Sequence, residues 1–287
     1  MPDTNTPLTD AIHALTTYIN DITRESDSDL SSAISHLVDG YGGVGEYRID
    51  DIATRDNLIG DIVLNRATYI APFSFANNTR ITSISAPYVT KFTDKKDNTS
   101  GIGSYIFAGC TSLAEVNLPL LTNTGSGGYQ FSGCTNLETI HLPCVSGTYM
   151  FNGCTKLRTC VLEGSGQLNG NGFRSCTSLV ALDINTTRIY TNEFYGASKL
   201  NTIIIRTPSV CTLSNVNAFT NTPFASGKSG GTIYIPESLY NALGTGTNDY
   251  KSTANWSVVD GYGTITWAKI EGSQYQTHYA DGTLISS

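Results

Sequence analysis

Seven cysteines and four histidines are the residues of this 287-residue chain best equipped for chemistry. Cys110, Cys134, Cys154 and Cys176 each stand before a threonine and after Gly or Ser. None of them is two residues from another cysteine, as zinc ligands in a turn would be. His13, His36, His141 and His278 are scattered, with no His-x-x-x-His pair. Ser226-Gly-Lys-Ser229 echoes the end of a phosphate loop, but the loop's first glycine is missing and no helix pattern follows. Carboxylates do not recur in pairs, so a glycosidase site has no basis. Asn77, Asn98, Asn185 and Asn255 head glycosylation sequons, which chance supplies in a chain so rich in Asn and Thr. The expectation is a non-enzymatic protein without cofactor or metal. The cysteines then read as packing: small thiols in one recurring core slot, which Ala197 fills at the next recurrence. Cys160 falls on a core strand position, and Cys144 and Cys211 lie outside the series, where exposure is expected.

That slot belongs to a phrase said four times: Phe107-Ala-Gly-Cys110-Thr-Ser-Leu113, Phe131-Ser-Gly-Cys134-Thr-Asn-Leu137, Phe151-Asn-Gly-Cys154-Thr-Lys-Leu157 and Phe173-Arg-Ser-Cys176-Thr-Ser-Leu179. Phe194-Tyr-Gly-Ala197-Ser-Lys-Leu200 is an eroded fifth copy. A short apolar alternation follows each copy: Val116 and Leu118, Ile140 and Leu142, Cys160 and Leu162, Leu182 and Ile184, Ile203 and Ile205. Period two is a strand with one buried face. One such strand cannot bury its face alone, so the next copy must stack beside it in parallel. Self-similarity at roughly 20–25 residues is the mark of a solenoid. Ile59-x-x-Ile62-x-Leu64 and Ile81-x-x-Ile84-x-Ala86 extend the series upstream, and Ile233-Tyr-Ile235 reads as its last strand. Eight strands at the usual spacing make a rod about 35 Å long. Residues 91–103 and 206–231 are expected to loop out.

With Phe131, Cys134, Leu137, Ile140, Leu142 and Pro143 in phase, the unit resembles the leucine-rich repeats of the bacterial surface-antigen, BspA-like type. The resemblance implies an α+β repeat solenoid with a parallel β-sheet, and a scaffold that offers a binding surface. It divides the chain into a helical segment with a glycine-rich hinge at 1–45, the solenoid at 46–236, and a C-terminal cap and tail at 237–287. Glu237 to Leu243 reads as a short helix, and Tyr250, Trp256 and Trp267 have the area to cover the solenoid's open end.

The N-terminal segment opens with Pro7 after Thr6, a helix start. Leu8, Ile12, Leu15, Ile19 and Ile22 form a stripe at alternating spacings of four and three. Leu30, Ile34 and Leu37 mark a second helix, closed by Gly40. Two readings stand: a helical pair that caps the solenoid, or an assembly interface on a hinge. Leu8-Thr-Asp-Ala-Ile-His-Ala-Leu-Thr-Thr-Tyr18 and Asp39-Gly-Tyr-Gly-Gly43 look like N-terminal segments of phage and prophage structural proteins of gut Firmicutes. Residues 1–10 show neither the basic start nor the apolar run of a signal peptide.

Charge is sparse, 17 basic against 24 acidic residues, net −7. That disfavours nucleic acid, and no stretch is long and apolar enough for membrane insertion. What is left is surface. The outward strand positions supply Glu115, Asn117, Thr139, His141, Thr159, Val161 and Asp183. Tyr105, Tyr129 and Tyr149, each two residues before a phrase's Phe, form either a packed ladder or a stacking surface for sugar rings. The expected function is a virion component, a tail, baseplate or head fibre. Its N-terminal helices would join other virion proteins, as a homo-oligomer, and its solenoid would meet a host cell-surface protein or glycan. The alternative is a bacterial cell-surface or secreted adhesin.

Overall fold

The computed structural model describes residues 56–92 and 105–271, apart from 66, 126, 145, 146 and 248, together with the backbone of three short strands at 45–47, 277–278 and 284–285. The helical stripe at 8–22 lies outside the described residues.

Each copy of the phrase makes one turn of a right-angled path: strand, second short strand, tight turn. The first coils hold β1 (Gly45–Tyr47), β2 (Gly60–Val63), β3 (Ala67–Ile70), β4 (Ile81–Ser85), β5 (Lys91–Phe92) and β6 (Glu115–Asn117). Then come β7 (Thr139–Leu142), β8 (Thr159–Leu168), β9 (Ala181–Ile189), β10 (Thr202–Ile205), β11 (Thr212–Leu213) and β12 (Gly231–Ile235). Helices α1 (Glu237–Asn241) and α2 (Ala254–Asp260) lead to β13 (Ile265–Lys269), and β14 (Thr277–His278) and β15 (Leu284–Ile285) form an antiparallel pair. All other strand pairs are parallel. The main face is two sheets in succession, β2-β4-β6 and then β7 through β10, β12 and β13. No ladder joins β6 to β7.

The core is three apolar columns and one aromatic spine. Phe75, Phe107, Phe131, Phe151, Phe173, Phe194 and Phe219 are buried, with successive ring centroids 5.0 to 6.1 Å apart. The turn that carries the spine is held at positive φ two residues after each Phe: Gly109, Gly133, Gly153 and Gly196, with Asn77, Ser175 and Asn221 doing the same work. Glycine costs nothing there, whereas a Cβ costs about 1–2 kcal/mol. Turn amides donate to the next coil, as Phe107 N to Gln130 O at 2.7 Å and Gly109 N to Ser132 O at 2.7 Å.

The cysteine slot has a partner as well as a shape. The Sγ atoms of Cys110, Cys134, Cys154 and Cys176 each lie 3.1 Å from the carbonyl oxygen of the preceding coil's Phe. All seven thiols are free and buried, including Cys144 and Cys211, where exposure was expected. Cys144 follows Pro143 back into the core, and Cys211 lies under the cap: the Trp256 indole donates to its carbonyl at 2.6 Å, and its amide donates to the Tyr250 hydroxyl at 3.1 Å.

Other expectations shift for local reasons. Leu58, not Ile59, takes the first core slot, four residues before Ile62 where the other coils use three. Phe75-Ala-Asn-Asn78-Thr-Arg-Ile81 is a further copy of the phrase, with Asn78 where cysteine would be; its amide donates to Leu58 O at 3.0 Å and its Oδ1 accepts from Arg80 N and Ile81 N. Lys91 and Phe92 are strand, and Phe92 is buried against Phe107; the rest of the expected loop at 91–103 lies outside the described residues. Residues 206–231 are a working coil with β11, a 3-10 helix at Val216–Phe219 and a spine phenylalanine. Ile233-Tyr-Ile235 is not the last strand, since β13 pairs beyond it.

Two measurements check this core. Leu137→Asp or Leu142→Asp, at fully buried positions, should unfold the solenoid at a cost of about 4 kcal/mol or more, whereas Thr139→Asp, which is exposed, should leave Tm nearly unchanged. Burial also pushes the thiols up, to about 12 at Cys144, Cys154 and Cys211. A thiol reagent should therefore find none of the seven in the native protein and all of them after denaturation.

Candidate functional site

The outward strand positions divide sharply. Glu115, Asn117, Thr139 and His141 are exposed, on the two strands that flank the break in the main sheet. Thr159, Val161 and Asp183 are not: their exposures are 6%, 7% and 4%. Alternation told correctly which side of the sheet they face but not what surrounds them there. Val161 lies in register between His141 and Asp183, and Thr159 between Thr139 and Ala181, so each is walled by paired strands on both sides.

Asp183 is the centre of that closed stretch. Arg206, one coil on, reaches back across it with two hydrogen bonds: Nε to Oδ1 at 2.6 Å, and Nη2 to Oδ2. Burial raises the Asp183 carboxyl above the usual range, and the guanidinium pulls against that rise. His141 Nε2 lies 2.8 Å from Glu163 Oε1, a contact on the open side. Glu163 continues the alternation of β8 one step past Leu162, and extending the period-two count would have found it. The accessible chemistry is therefore carboxylate, amide, hydroxyl and imidazole. It suits hydrogen bonding to a hydroxyl-rich or peptide partner.

The tyrosine column lies on the turn side, and it stacks on itself. Phe73, Tyr105, Tyr129 and Tyr149 have centroids 5.3, 4.7 and 4.7 Å apart, with planes within 7° of parallel. Phe73 and Tyr105 are exposed, at 50% and 37%, and Tyr129 and Tyr149 are half-buried. All four are held at φ between 55° and 66°. In the next two coils Asn171 and Asn192 take the same conformation, which asparagine tolerates better. Faces committed to one another are unavailable to sugar rings between them; edges and hydroxyls face out. Crowding makes the Tyr129 phenol a weaker acid than usual: burial raises its pKa first, and Tyr105 and Tyr149 second.

The region matched by the family description "BspA type Leucine rich repeat region" is residues 68–186 and 147–242, in six copies. The chain belongs to the BspA-type leucine-rich repeat family. It is thus a binding and structural repeat protein. Among solved structures, a T. pallidum leucine-rich repeat protein is 20% identical with a TM-score of 0.40, over 50% of this chain and 71% of that one. A leucine-rich repeat protein from Bacteroides ovatus is 14% identical with a TM-score of 0.23, over 73% of this chain and 84% of that one. No curated protein matches. In the BspA-type frame, Glu115, Asn117, Thr139 and His141 are positions that the repeat leaves free to vary.

One buried group breaks the apolar pattern of the coils. Glu193, just before Phe194, is wholly buried, and its Oε2 accepts from Gly170 N at 2.8 Å. Burial lifts its carboxyl from 4.5 to about 8, against the pull of the Gly172 and Gly170 amides. The folded chain therefore holds a proton that the unfolded chain has already released. Its stabilisation is full below pH 4.5 and is lost as pH rises towards 8. Glu193→Gln keeps an acceptor for Gly170 and cannot ionise, so its Tm advantage over the wild type should grow as pH rises through that window, in paired melts.

Proposed function

We propose that the solenoid is a non-enzymatic recognition surface, and that its open sector around Glu115, Asn117, Thr139 and His141 contacts a cell-surface protein or glycan. One observation carries this reading. Inward positions repeat the same small set of apolar residues, while the exposed outward pairs change from coil to coil: Glu and Asn, then Thr and His. Packing dictates the first set and leaves the second free for a partner. BspA-type repeat proteins are typically at the cell surface or secreted, which favours an adhesin.

A virion attachment role is a second reading, favoured by the stripe Leu8, Ile12, Leu15, Ile19 and Ile22. Such a stripe on a short helix needs other helices to bury it, and a homo-oligomer or a particle protein would supply them.

Flow cytometry of the labelled protein on bacterial and mucus-coated surfaces tests the first reading. Glu115→Lys with His141→Glu should lower binding at least about tenfold, the size of one lost polar hot spot; Lys199→Glu, remote from the sector, should not. Equal binding by all three would place recognition elsewhere. Light scattering tests the second: Ile12→Asp with Ile19→Asp should turn an oligomer into a monomer, and a wild-type monomer would remove the support for that reading.

A further inference from the structure

The two main sheets abut at a single step, where the coils are bonded on the turn side and not on the strand side. On the strand side, β6 and β7 share no ladder, although every other neighbouring pair on the main face from β2 to β13 does. Val116 feels the difference. Its equivalents Ile84, Ile140, Cys160, Leu182, Ile203 and Ile233 are all buried, whereas Val116 is only half-buried. On the turn side the same two coils stay bonded. Tyr105 N donates to Gly128 O at 3.1 Å, Phe107 N to Gln130 O at 2.7 Å and Gly109 N to Ser132 O at 2.7 Å. Tyr105 and Tyr129 stack across the same step at 4.7 Å, with planes 4° from parallel.

This is a wedge, with its apex on the turn side and its mouth between β6 and β7. We infer that it is a hinge: the solenoid is two stiff blocks, β2 to β6 and β7 to β13, which rock about the turn side while the tyrosine column clasps them. Hydrogen-bonded ladders resist relative motion within each block, whereas the links across the step, the turn-side bonds, the tyrosine stack, the Phe107–Phe131 contact and the Cys134 thiol on Phe107 O, all lie away from the strand face. The clasp also accounts for the choice of residue. A ring at positive φ costs more than the asparagine used at Asn171 and Asn192, and a stacked pair returns about 0.5–1.5 kcal/mol. Tyr105 and Tyr129 occupy the coils that meet at the wedge, Tyr149 the next, and asparagines the two beyond that. Motion at the hinge would alter the separation of Glu115 and Asn117 on one block from Thr139 and His141 on the other.

Spin-label distance measurements on the full chain, diluted with unlabelled protein, test the hinge. The seven native thiols are buried, so introduced cysteines label specifically. Arg80→Cys with Lys199→Cys spans the wedge, and Lys156→Cys with Ser238→Cys lies within one block; all four positions are exposed. The spanning pair should give a broader distance distribution than the control pair, and Tyr129→Asn should broaden the spanning pair further while leaving the control unchanged. A spanning distribution as narrow as the control overturns the hinge. A broad one indifferent to Tyr129→Asn overturns the tyrosine column as its clasp.

Discussion

A single coil of this chain has no interior. Its strand buries one face only if another strand lies on each side, and its phenylalanine is buried only between two other phenylalanines. Everything regular in the molecule follows from that dependence. The turn must bring each coil back at the same pitch, which requires positive φ beyond every spine phenylalanine and hence Gly, Asn or Ser there. The cysteine must be small enough to stack and able to meet a carbonyl, which Ala197 cannot do but Asn78 and Thr222 can in their own ways: Thr222 Oγ1 donates to Phe219 O at 2.7 Å. At the far end the dependence has to stop. There Trp256 and Tyr250 cover the last spine ring, Phe219, and tie themselves to Cys211.

The same dependence decided what the sequence made legible. Columns that touch their own copies repeat, so Phe131, Cys134, Leu137 and Leu142 declared their burial at once. Positions that touch something else did not. Cys144 and Cys211 are buried by Pro143 and the cap, contacts that no period encodes. Asn78 and Thr222 hid two copies of the phrase by filling the thiol's place with other hydrogen-bonding groups. A four-residue step from Leu58 to Ile62, where the other coils use three, moved one core slot by a residue. For Thr159, Val161 and Asp183, alternation gave the side of the sheet, but exposure was set by neighbours in register and by Arg206 reaching back from the next coil. The break between β6 and β7 left no trace at all in the phrase, which runs through it in phase.

The tyrosine column shows a local cost and a collective gain in one set of residues. Each ring sits in a backbone conformation that disfavours it, and each is held by its neighbours above and below. Glu193 is the other strained element, a carboxyl sealed in the coil with two backbone amides for company. Both lie on the turn side, while the variable polar residues lie on the strand side. Structure-bearing oddities and candidate recognition residues are thus separated across the thickness of the solenoid.

If nearest-neighbour stacking is what holds the fold, a coil can be removed in phase and its neighbours will close over the gap. Thermal melting of a chain lacking residues 131–150, which joins Gln130 directly to Phe151, is the most direct measurement. Stacked, interchangeable coils predict a cooperative melt and a native-like circular dichroism spectrum, with Tm only modestly lowered. A chain that fails to fold, as one cut out of phase at 131–140 should, would contradict them.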